Sequence, residues 1–420
     1  MSYLLIEGGR RLGGTVPIHG AKNAVLPLLS ACLLCTEECE LHNCPRLSDV
    51  EGSLGILRHL GCRAVQEGDV ITVSAASPVS RAVPDALMRQ MRSSIVFLGA
   101  MIARLGEAHM AFPGGCELGP RPIDLHLSAL RQMGAVIREE NGHLHCRLNG
   151  RFRGCRIVLP FPSVGATENI LLAAATAEGT TTLIGGAREP EILDLAAFLN
   201  ACGARIGIGP DGTVTAEGVP ALSGCRHAAI PDRIEAATYL AAAAATGGTV
   251  LLEHVECAHV ATVLPLFEEA GCRVRTLDGS LLLSAPPRLI RVRQVRTMPY
   301  PGFPTDAGAP LIGALCTAEG TSIFVETIFE NRYRYVDELR RMGAHIKTEG
   351  RVAVVEGVSR LSGASVECSD LRGGAALVVA ALAAEGQSRI GALSHLDRGY
   401  EALETGLSGL GASVRRVAAS

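Results

Sequence analysis

One glycine recurs six times along the chain, each time between a short amphipathic run and a run typical of a β-strand. The intervals between successive copies are 73, 69, 68, 72 and 68 residues. The six copies are Gly61, Gly134, Gly203, Gly271, Gly343 and Gly411. Six units of about 70 residues account for the full length, and such a period predicts that one supersecondary unit is built six times.

The third unit shows the order of elements within a repeat. Residues 170–175 are apolar nearly all round, which is typical of a buried helix. Residues 180–184 predict a strand, and residues 191–199 have the spacing of an amphipathic helix. The pattern predicts units of strand, helix, strand, helix and closing strands. Three units with their apolar helices inward and their sheets outward would form one domain.

The length of the chain predicts two domains. A chain of 420 residues is too long for one ordinary core, and six units divide most simply into three and three. The break would then fall near residues 229–231. Charged residues make up 19% of the chain against roughly 25% in an average protein, and 48% are hydrophobic, which indicates a well-buried globule.

Charge and hydropathy exclude several classes of partner. A net charge of −3 argues against nucleic acid or an anionic membrane surface. The apolar stretch at residues 236–246 is shorter than the ~20 residues that a bilayer requires. The first residues lack a basic leader with an apolar run and a cleavage site. We expect a cytoplasmic protein with no nucleic-acid partner and no membrane insertion; its oligomeric state stays open.

Fourteen cysteines raise the question of a metal site. Cys32, Cys35 and Cys39 lie at i, i+3 and i+7 of an apolar run that predicts a helix, and Cys44 follows. Zinc or an iron–sulfur cluster is the alternative, but no second CxxC elsewhere would complete such a site. The pattern favours reduced, buried thiols that pack as small hydrophobic groups. We therefore expect no metal and no cofactor.

Four cations stand at predicted helix starts, namely Lys22, Arg92, Arg233 and Arg372. Neighbouring Asp, Thr and Asn residues are explained as helix caps. A cation at a helix N-terminus opposes the macrodipole, so capping does not explain these four. Buried helices that point their N-termini in one direction would make an anion site. The set favours a bound polyanion.

Cys116 lies between glycines that predict a mobile, exposed loop. A thiol becomes a useful acid or nucleophile when nearby cations and N–H groups stabilise its thiolate. Arg121 is five residues away, and Lys22 could join it across the fold. The alternative is a loop cysteine without a function.

Several segments together resemble the UDP-N-acetylglucosamine 1-carboxyvinyltransferases, a family of enolpyruvyl transferases. They follow the family's order and spacing from about Ile6 to Val417. The segments are residues 20–24, 114–126, 165–169, 303–306, 326–332 and 395–401.

The resemblance implies an α/β fold, the two-domain inside-out α/β barrel, with six βαβαββ repeats and buried helices surrounded by sheets. The first domain would span residues 22–229 and carry the Cys116 loop as a lid. The second would combine residues 1–21 with 230–420, and the active site would lie in the cleft between the two.

The resemblance also implies a reaction. Enolpyruvyl would pass from phosphoenolpyruvate to the 3-hydroxyl of UDP-N-acetylglucosamine with release of phosphate, the first committed step of peptidoglycan precursor synthesis. It would proceed by addition and elimination through a tetrahedral phospho-ketal. This needs a general acid, a general base and cations, and no metal.

Residue roles follow from the same resemblance. Cys116 would donate the proton, form a phospho-lactoyl adduct and be alkylated by fosfomycin. Asp306 would take the 3-hydroxyl proton, with a helix cap as its alternative role, and Asn23 would lie near the reacting atoms. Lys22, Arg121 and Arg398 would contact the phosphate of phosphoenolpyruvate. Arg332 and Arg372 would approach its carboxylate or order the closed cleft.

UDP-N-acetylglucosamine would be held by a third set of residues, many through main-chain groups. These are Arg92, Arg121, Pro122, Ile123, Asp124, Leu125, Ser163, Val164, Gly165 and Ile328. Glu189, Arg233 and Asp370 would support them from further out.

The sequence departs from the family pattern at two places. Residues 307–310 and Gly373–Gly374 introduce glycine and proline near helix starts, which weakens the first turn.

Two rival functions remain. One rival is an enzyme similar to 5-enolpyruvylshikimate-3-phosphate synthase. The other is a non-catalytic paralogue that binds UDP-N-acetylglucosamine without turnover.

Overall fold

The chain divides into two compact units. A computed structural model describes residues 2–114, 123–209 and 211–418. Among these, the residues from Gly20 to Ile230 form the first unit. The second unit combines the segment up to His19 with the chain from Pro231 onward.

The secondary structure of the first half repeats one pattern three times after an initial strand. The elements are β1 (Ser2–Glu7), β2 (Gly13–Pro17), α1 (Lys22–Cys32), β3 (Cys39–His42), α2 (Ser48–His59), β4 (Arg63–Glu67), β5 (Val70–Ser74), β6 (Ala82–Val83), α3 (Asp85–Gln90), a 3-10 helix (Arg92–Val96), α4 (Phe97–Leu105), β7 (Glu107–Ala111), α5 (Asp124–Gln132), β8 (Val136–Glu140), β9 (His143–Arg147), β10 (Arg156–Val158), α6 (Val164–Ala174), β11 (Thr180–Ile184), α7 (Pro190–Ala201), β12 (Arg205–Ile208) and β13 (Val214–Glu217).

The second half repeats the pattern three more times. Its elements are β14 (Arg226–Ala228), α8 (Arg233–Ala245), β15 (Thr249–Glu253), α9 (Cys257–Val260), α10 (Leu264–Glu269), β16 (Arg273–Leu277), β17 (Ser280–Ser284), β18 (Gln294–Arg296), α11 (Thr305–Leu315), β19 (Thr321–Val325), α12 (Val336–Arg341), β20 (His345–Glu349), β21 (Val352–Glu356), β22 (Ser365–Glu367), α13 (Leu371–Ala383), β23 (Gln387–Gly391), a 3-10 helix (Leu396–Arg398), α14 (Leu403–Gly409) and β24 (Ser413–Ala418).

The described strands form six sheets of four strands. Each sheet combines one parallel pair with two antiparallel pairs. In the third repeat, a helix connects the parallel strands β10 and β11, and a turn connects the antiparallel strands β12 and β13. The strand orders are β14-β3-β5-β4, β6-β7-β9-β8 and β10-β11-β13-β12 in the first unit, and β16-β17-β15-β2, β18-β19-β21-β20 and β22-β23-β1-β24 in the second.

Three strands pair with the other half of the sequence. Strand β1 lies between β23 and β24 of the second unit. Strand β2 immediately precedes α1 of the first unit, yet it pairs with β15 of the second, with Thr15 opposite Leu251. Strand β14 precedes α8 of the second unit, yet it pairs with β3 of the first, with His227 opposite Leu41. The chain therefore passes between units just before two buried helices, at residues 19–20 and 230–231.

Each unit has its own core built around helices that are apolar on nearly every face. In the first unit these are α1, α4 and α6, and in the second α8, α11 and α13. Such helices must be buried all round. Helices α11 and α13 approach so closely that a Cβ on Gly313 would lie 2.6 Å from the carbonyl oxygen of Ala376. None of the helices in the described part of the chain has the length and apolarity needed to cross a membrane.

The recurrent glycines end one helix of every repeat. All six have φ between +90° and +107°, the left-handed region that glycine adopts most readily. In the third repeat, the N–H of Ala204 donates to the carbonyl of Leu199 and that of Gly203 to Asn200. The equivalent pair of bonds follows the other five helices, as in a Schellman turn. The glycine that repeats in the sequence therefore marks the residue of positive φ that follows a helix in each repeat.

The cysteine-rich run does not form the expected long helix. Helix α1 ends at Cys32, Cys35 makes an isolated parallel bridge with Leu222, and Cys39 begins β3. The prediction of a helix through Cys39 is wrong because the exposed residues 36–38 interrupt the apolar pattern. Thr36 instead donates its N–H to Leu222. The glycines and prolines of residues 307–310 and 373–374, by contrast, lie within continuous helices α11 and α13.

Replacing Gly203 by alanine should lower the free energy of unfolding by about 1–2 kcal/mol. The added Cβ meets nothing within 4 Å, so the cost comes from the backbone conformation at φ +100°. Gly207 in β12 is the matched control, since its Cβ would also meet nothing and its φ is not positive. Urea unfolding of Gly203→Ala and Gly207→Ala compares them, and equal losses would contradict this explanation.

Candidate active site

Lys22 begins α1 and is paired with a carboxylate. Its Nζ lies 3.2 Å from Oδ2 of Asp49, in the first turn of α2, and both side chains are largely buried. A cation at a helix N-terminus opposes the macrodipole, and Asp49 offsets that charge. Asn23 follows in the same turn and is half-buried. Lys22 and Asn23 therefore place an ammonium group and an amide together at the start of a buried helix.

Arg92 supports the segment that leads toward Cys116. It begins the 3-10 helix Arg92–Val96, and its Nη1 donates to the carbonyl of Pro113 at 3.2 Å. The N–H of Gly114 donates to the carbonyl of Met88. The predicted site residues Cys116, Arg121 and Pro122 lie outside the described residues.

A buried network connects three helices of the first unit. Asn169 of α6 accepts at Oδ1 from the N–H of Gly99 at 2.6 Å, which fixes the orientation of its amide. Its Nδ2 then donates to the carbonyl of Ile95 and to Nδ1 of His126, at 3.0 and 2.9 Å. Because Nδ1 is an acceptor, the proton of the neutral imidazole is on Nε2.

The start of α6 lies against that imidazole. Ser163 caps the helix by accepting from the N–H of Ala166, and Val164 and Gly165 follow, all half-buried. A Cβ on Gly165 would lie 2.9 Å from Cε1 of His126. Glycine therefore lets the helix start and the histidine approach closely.

The predicted nucleotide-sugar residues after the loop fall at the start of α5. Ile123 is buried beside the helix start, Asp124 begins the helix and is exposed, and Leu125 is half-buried. Exposure leaves the Asp124 carboxylate and the neighbouring main chain available to a ligand.

Two buried side chains of α5 and α6, His126 and Glu168, are mainly uncharged at neutral pH. Burial, followed by the nearby Glu191 and Glu189 carboxylates, raises the pKa of Glu168 to about 8. Burial, followed by the charge of Arg92, lowers the pKa of His126 to about 4. A neutral carboxyl and a neutral imidazole can each donate a hydrogen bond without adding charge.

The folded protein should lose stability through Glu168 as the pH rises. A carboxyl whose pKa is raised by folding holds its proton in the folded state, so its contribution is complete below the unfolded pKa and is lost as pH rises toward about 8. Glu168→Gln keeps the neutral form. The stability of the native protein relative to this variant should fall between pH 5 and pH 8.

Urea unfolding of both proteins across that range measures the trend. The exposed Glu178 of the same repeat provides the control variant Glu178→Gln. His126 is present in both proteins, so its own titration cancels from the difference. A difference that stays constant with pH would show that Glu168 is ionised in the folded state.

Asp306 of the second unit is held between two arginines. Its Oδ1 lies 2.8 Å from Nη2 of Arg332 and its Oδ2 lies 3.2 Å from Nε of Arg372. The arginine side chains are 4% and 2% exposed, whereas Asp306 is 27% exposed. Arg332 also donates to the carbonyl of Thr305. The structure therefore brings together three predicted site residues from α11, α13 and the segment after β19.

Arg332 and Arg372 carry hydrogen-bond donors for which the described residues provide no acceptor. Within the described residues, Nη1 and Nη2 of Arg372 and Nε of Arg332 are buried without a hydrogen-bond partner. Arg372 lies over the ring of Tyr400, with its Cζ 5.2 Å from the ring centroid. Burial lowers the pKa of Arg372, but Tyr400 and Asp306 raise it by more, so the guanidinium stays charged. Buried, charged donors of this kind fit an anionic ligand.

Glu326 organises the backbone around Asp306. This buried carboxylate accepts from the hydroxyls of Thr297 and Thr305 at 2.9 and 2.8 Å. It also accepts from the N–H groups of Ile328 and Phe329 at 2.7 and 3.1 Å. One side chain thereby fixes both the start of α11 and the predicted substrate residue Ile328.

The remaining predicted residues lie at helix ends. Asp370 caps α13 by accepting from the N–H groups of Arg372 and Gly373, so it has a structural role at the position where a ligand contact is expected. Arg398 ends the second 3-10 helix and is half-buried. Arg233 begins α8 directly after its cap Asp232, and Glu189 precedes α7.

Sequence reasoning missed four residues of these networks: Asp49, His126, Asn169 and Glu326. His126, Asn169 and Glu326 lie inside segments that carry the family resemblance, but without a role assigned. Their burial beside a predicted ligand residue was the missing information. Asp49 has the appearance of an ordinary acidic residue in a first helical turn, and nothing in the sequence pairs it with Lys22.

Comparisons with known proteins identify the family. The family model for EPSP synthase (3-phosphoshikimate 1-carboxyvinyltransferase) matches residues 6–407. UDP-N-acetylglucosamine 1-carboxyvinyltransferase 2 of Caldanaerobacter subterraneus subsp. tengcongensis is 47% identical, over 99% of this chain and 100% of that protein. UDP-N-acetylglucosamine 1-carboxyvinyltransferase 1 of Symbiobacterium thermophilum is 48% identical, over 98% and 95%. The chain belongs to this family of enolpyruvyl transferases.

Solved structures agree on the fold. The enolpyruvyl transferase NikO from Streptomyces tendae has a TM-score of 0.90 at 25% identity, covering 100% of this chain and 99% of that one. An EPSP synthase from Acinetobacter baumannii has a TM-score of 0.75 at 18% identity over the full length of both chains, which concerns the fold alone. The family resemblance and the expected two-domain inside-out α/β barrel are confirmed.

Proposed function

We propose that this enzyme transfers the enolpyruvyl group of phosphoenolpyruvate to the 3-hydroxyl of UDP-N-acetylglucosamine and releases phosphate. The observation that carries the proposal is that relatives 47% and 48% identical over almost the whole chain are UDP-N-acetylglucosamine 1-carboxyvinyltransferases. The reaction would be the first committed step of peptidoglycan precursor synthesis, in the cytoplasm. The domains would be residues 22–229 and residues 1–21 with 230–420, with the site in the cleft between them.

The charged cluster of the second unit supports a binding role for phosphoenolpyruvate. Arg332 and Arg372 are the residues expected to approach its carboxylate. Three of their buried nitrogen atoms have no hydrogen-bond partner among the described residues. A planar guanidinium matches a carboxylate with two parallel hydrogen bonds. Asp370 caps α13 and orients Arg372 through the main chain.

Asp306 is the proposed general base, and its ion pairs would control when it can accept a proton. Both carboxylate oxygens accept from guanidinium groups in this structure. An oxygen engaged in this way is a poor proton acceptor. A substrate carboxylate that takes Arg332 and Arg372 as partners would release Asp306 to accept the 3-hydroxyl proton.

The first unit supplies most of the other proposed contacts, and Arg398 and Ile328 come from the second. Lys22, with Arg121 and Arg398, would bind the phosphate of phosphoenolpyruvate, and Asn23 would lie near the reacting atoms. Cys116 would donate the proton to the vinyl carbon, which generates the cationic centre that the hydroxyl attacks. UDP-N-acetylglucosamine would lie along the starts of α5 and α6, with Arg92, Ile123, Asp124, Leu125, Pro122, Ser163, Val164, Gly165 and Ile328 as its contacts.

Release of inorganic phosphate from the two substrates tests the function directly. We expect phosphate to appear with phosphoenolpyruvate plus UDP-N-acetylglucosamine, and to stop when fosfomycin alkylates Cys116. Cys116→Ser should lose most turnover, while Cys116→Asp should keep turnover and resist fosfomycin, because a carboxyl donates a proton but offers no sulfur.

Two outcomes would overturn the proposal. Turnover with shikimate 3-phosphate instead of the nucleotide sugar would assign the protein to the other branch of the family. Binding of UDP-N-acetylglucosamine without any phosphate release would indicate a sensor. Equal inhibition of Cys116→Asp and the native enzyme by fosfomycin would remove the role of the cysteine as the alkylated group.

Arg372→Lys should weaken the binding of phosphoenolpyruvate selectively. Lysine keeps the charge but cannot form two parallel bonds, and losing a charged hydrogen bond of about 1.5–3 kcal/mol corresponds to roughly 10- to 100-fold in KM. The exposed Arg340, which bonds to Asp337 and Ile346 in the same unit, gives the control Arg340→Lys. Steady-state kinetics with each substrate varied in turn separate the effects. An equal rise in both KM values would contradict the assignment to phosphoenolpyruvate.

A further inference from the structure

Cysteines that are far apart in the sequence converge in the first unit. The sulfur atoms of Cys35, Cys39 and Cys202 all lie within 4.8 Å of one another. The sulfur of Cys225 lies 3.3 Å from that of Cys202. The long sequence separation between Cys39 and Cys202 conceals this cluster, because a search for a second CxxC motif does not detect it.

The spacing of three of the sulfurs is compatible with one metal ion. Tetrahedral zinc with bonds of about 2.3 Å places its sulfur ligands about 3.8 Å apart. That value lies within the 4.8 Å bound on the sulfurs of Cys35, Cys39 and Cys202. The sulfur of Cys225 contacts that of Cys202 at 3.3 Å but lies outside this group of three, so its side chain would rotate to become the fourth ligand.

The backbone holds these four cysteines independently of any ion. Cys35 bridges to Leu222, and the N–H of Thr36 donates to the same residue. Cys39 begins β3, whose next residue donates its N–H to the carbonyl of Cys225. Ser223 donates through both its N–H and its hydroxyl to the carbonyl of Cys202. The arrangement is therefore preformed by strand pairing and a helix end.

The clustered thiols share one buried environment. Cys35, Cys39 and Cys202 are all buried, and their sulfur atoms lie within 4.8 Å of one another. Several thiolates buried side by side would repel one another. A divalent cation would compensate the charge of these thiolates together.

We propose that Cys35, Cys39, Cys202 and Cys225 bind one Zn²⁺ ion as a structural site. An all-sulfur set of four selects a soft or borderline metal, and four protein ligands leave no open position for catalysis. The Cys35-x₃-Cys39 spacing is common in such sites. Cys225 is half-buried and provides a path for the ion, whereas the fully buried Cys32 contacts Cys39 from inside the core.

The ion would tie together four elements from distant parts of the chain. Cys35 follows α1, Cys39 begins β3, Cys202 follows α7 and Cys225 precedes β14. Helix α1 begins with Lys22 at its other end, so the metal would anchor the helix that carries this cation. The site would act on stability and on helix position, without touching a substrate.

Metal analysis of the purified full-length protein tests the proposal. After expression with zinc and exhaustive dialysis under reducing conditions, mass spectrometry should find about one zinc per chain. Cobalt substituted for zinc should show the absorption of a tetrahedral thiolate site, and a strong chelator should lower the Tm. Cys202→Ser should lose at least ~90% of the bound zinc, which is a more than tenfold loss of affinity.

Matched variants decide which thiols are ligands. Cys146→Ser replaces a buried thiol outside the cluster and should retain zinc. Cys225→Ser should lose zinc and Cys32→Ser should retain it. A fully reduced native protein without zinc or cobalt binding would overturn the proposal, and so would a Cys202–Cys225 disulfide found by mass spectrometry in protein prepared with zinc. Zinc retained by Cys202→Ser would equally exclude the site.

Discussion

The structure depends on burying helices that are apolar on every face. Since these helices cannot use their sides for polar chemistry, functional groups collect at their first turns, where main-chain N–H groups are unsatisfied. Lys22, Asp306 and Arg372 all occupy such positions. The surrounding sheets shield the helices from solvent, and the functional groups lie at the helix ends.

That arrangement places charge where it is costly. Arg372 is almost completely buried, with one carboxylate and an aromatic ring as compensation and two nitrogens left over. Burying a charge without full hydrogen bonding destabilises a protein. An anion that accepts hydrogen bonds from these nitrogens would offset this cost, so the buried guanidinium favours the binding of an anion.

The sequence predicted the repeated unit and the helix starts because both rest on local patterns. The spacing of Gly203 and its five equivalents predicted the repeated unit, and the structure adds that all six have positive φ. The His126–Asn169 bond and the Glu326 hub could not be predicted, since each depends on how separate elements pack. The cysteine cluster shows the limit most clearly. Cys35 bridges to Leu222, and the next residue, Ser223, donates to the carbonyl of Cys202, so the contact depends on long-range pairing that no local pattern encodes.

The exchanged strands make the order of synthesis matter. A ribosome produces β2 long before its partner β15, and β1 before β23 and β24, so both early strands wait with unsatisfied edges while the first unit is assembled. The first unit, in turn, lacks an edge strand until β14 emerges. The nascent polypeptide therefore contains β1 and β2 well before the strands that pair with them, and the second unit is complete only after β24 has been made.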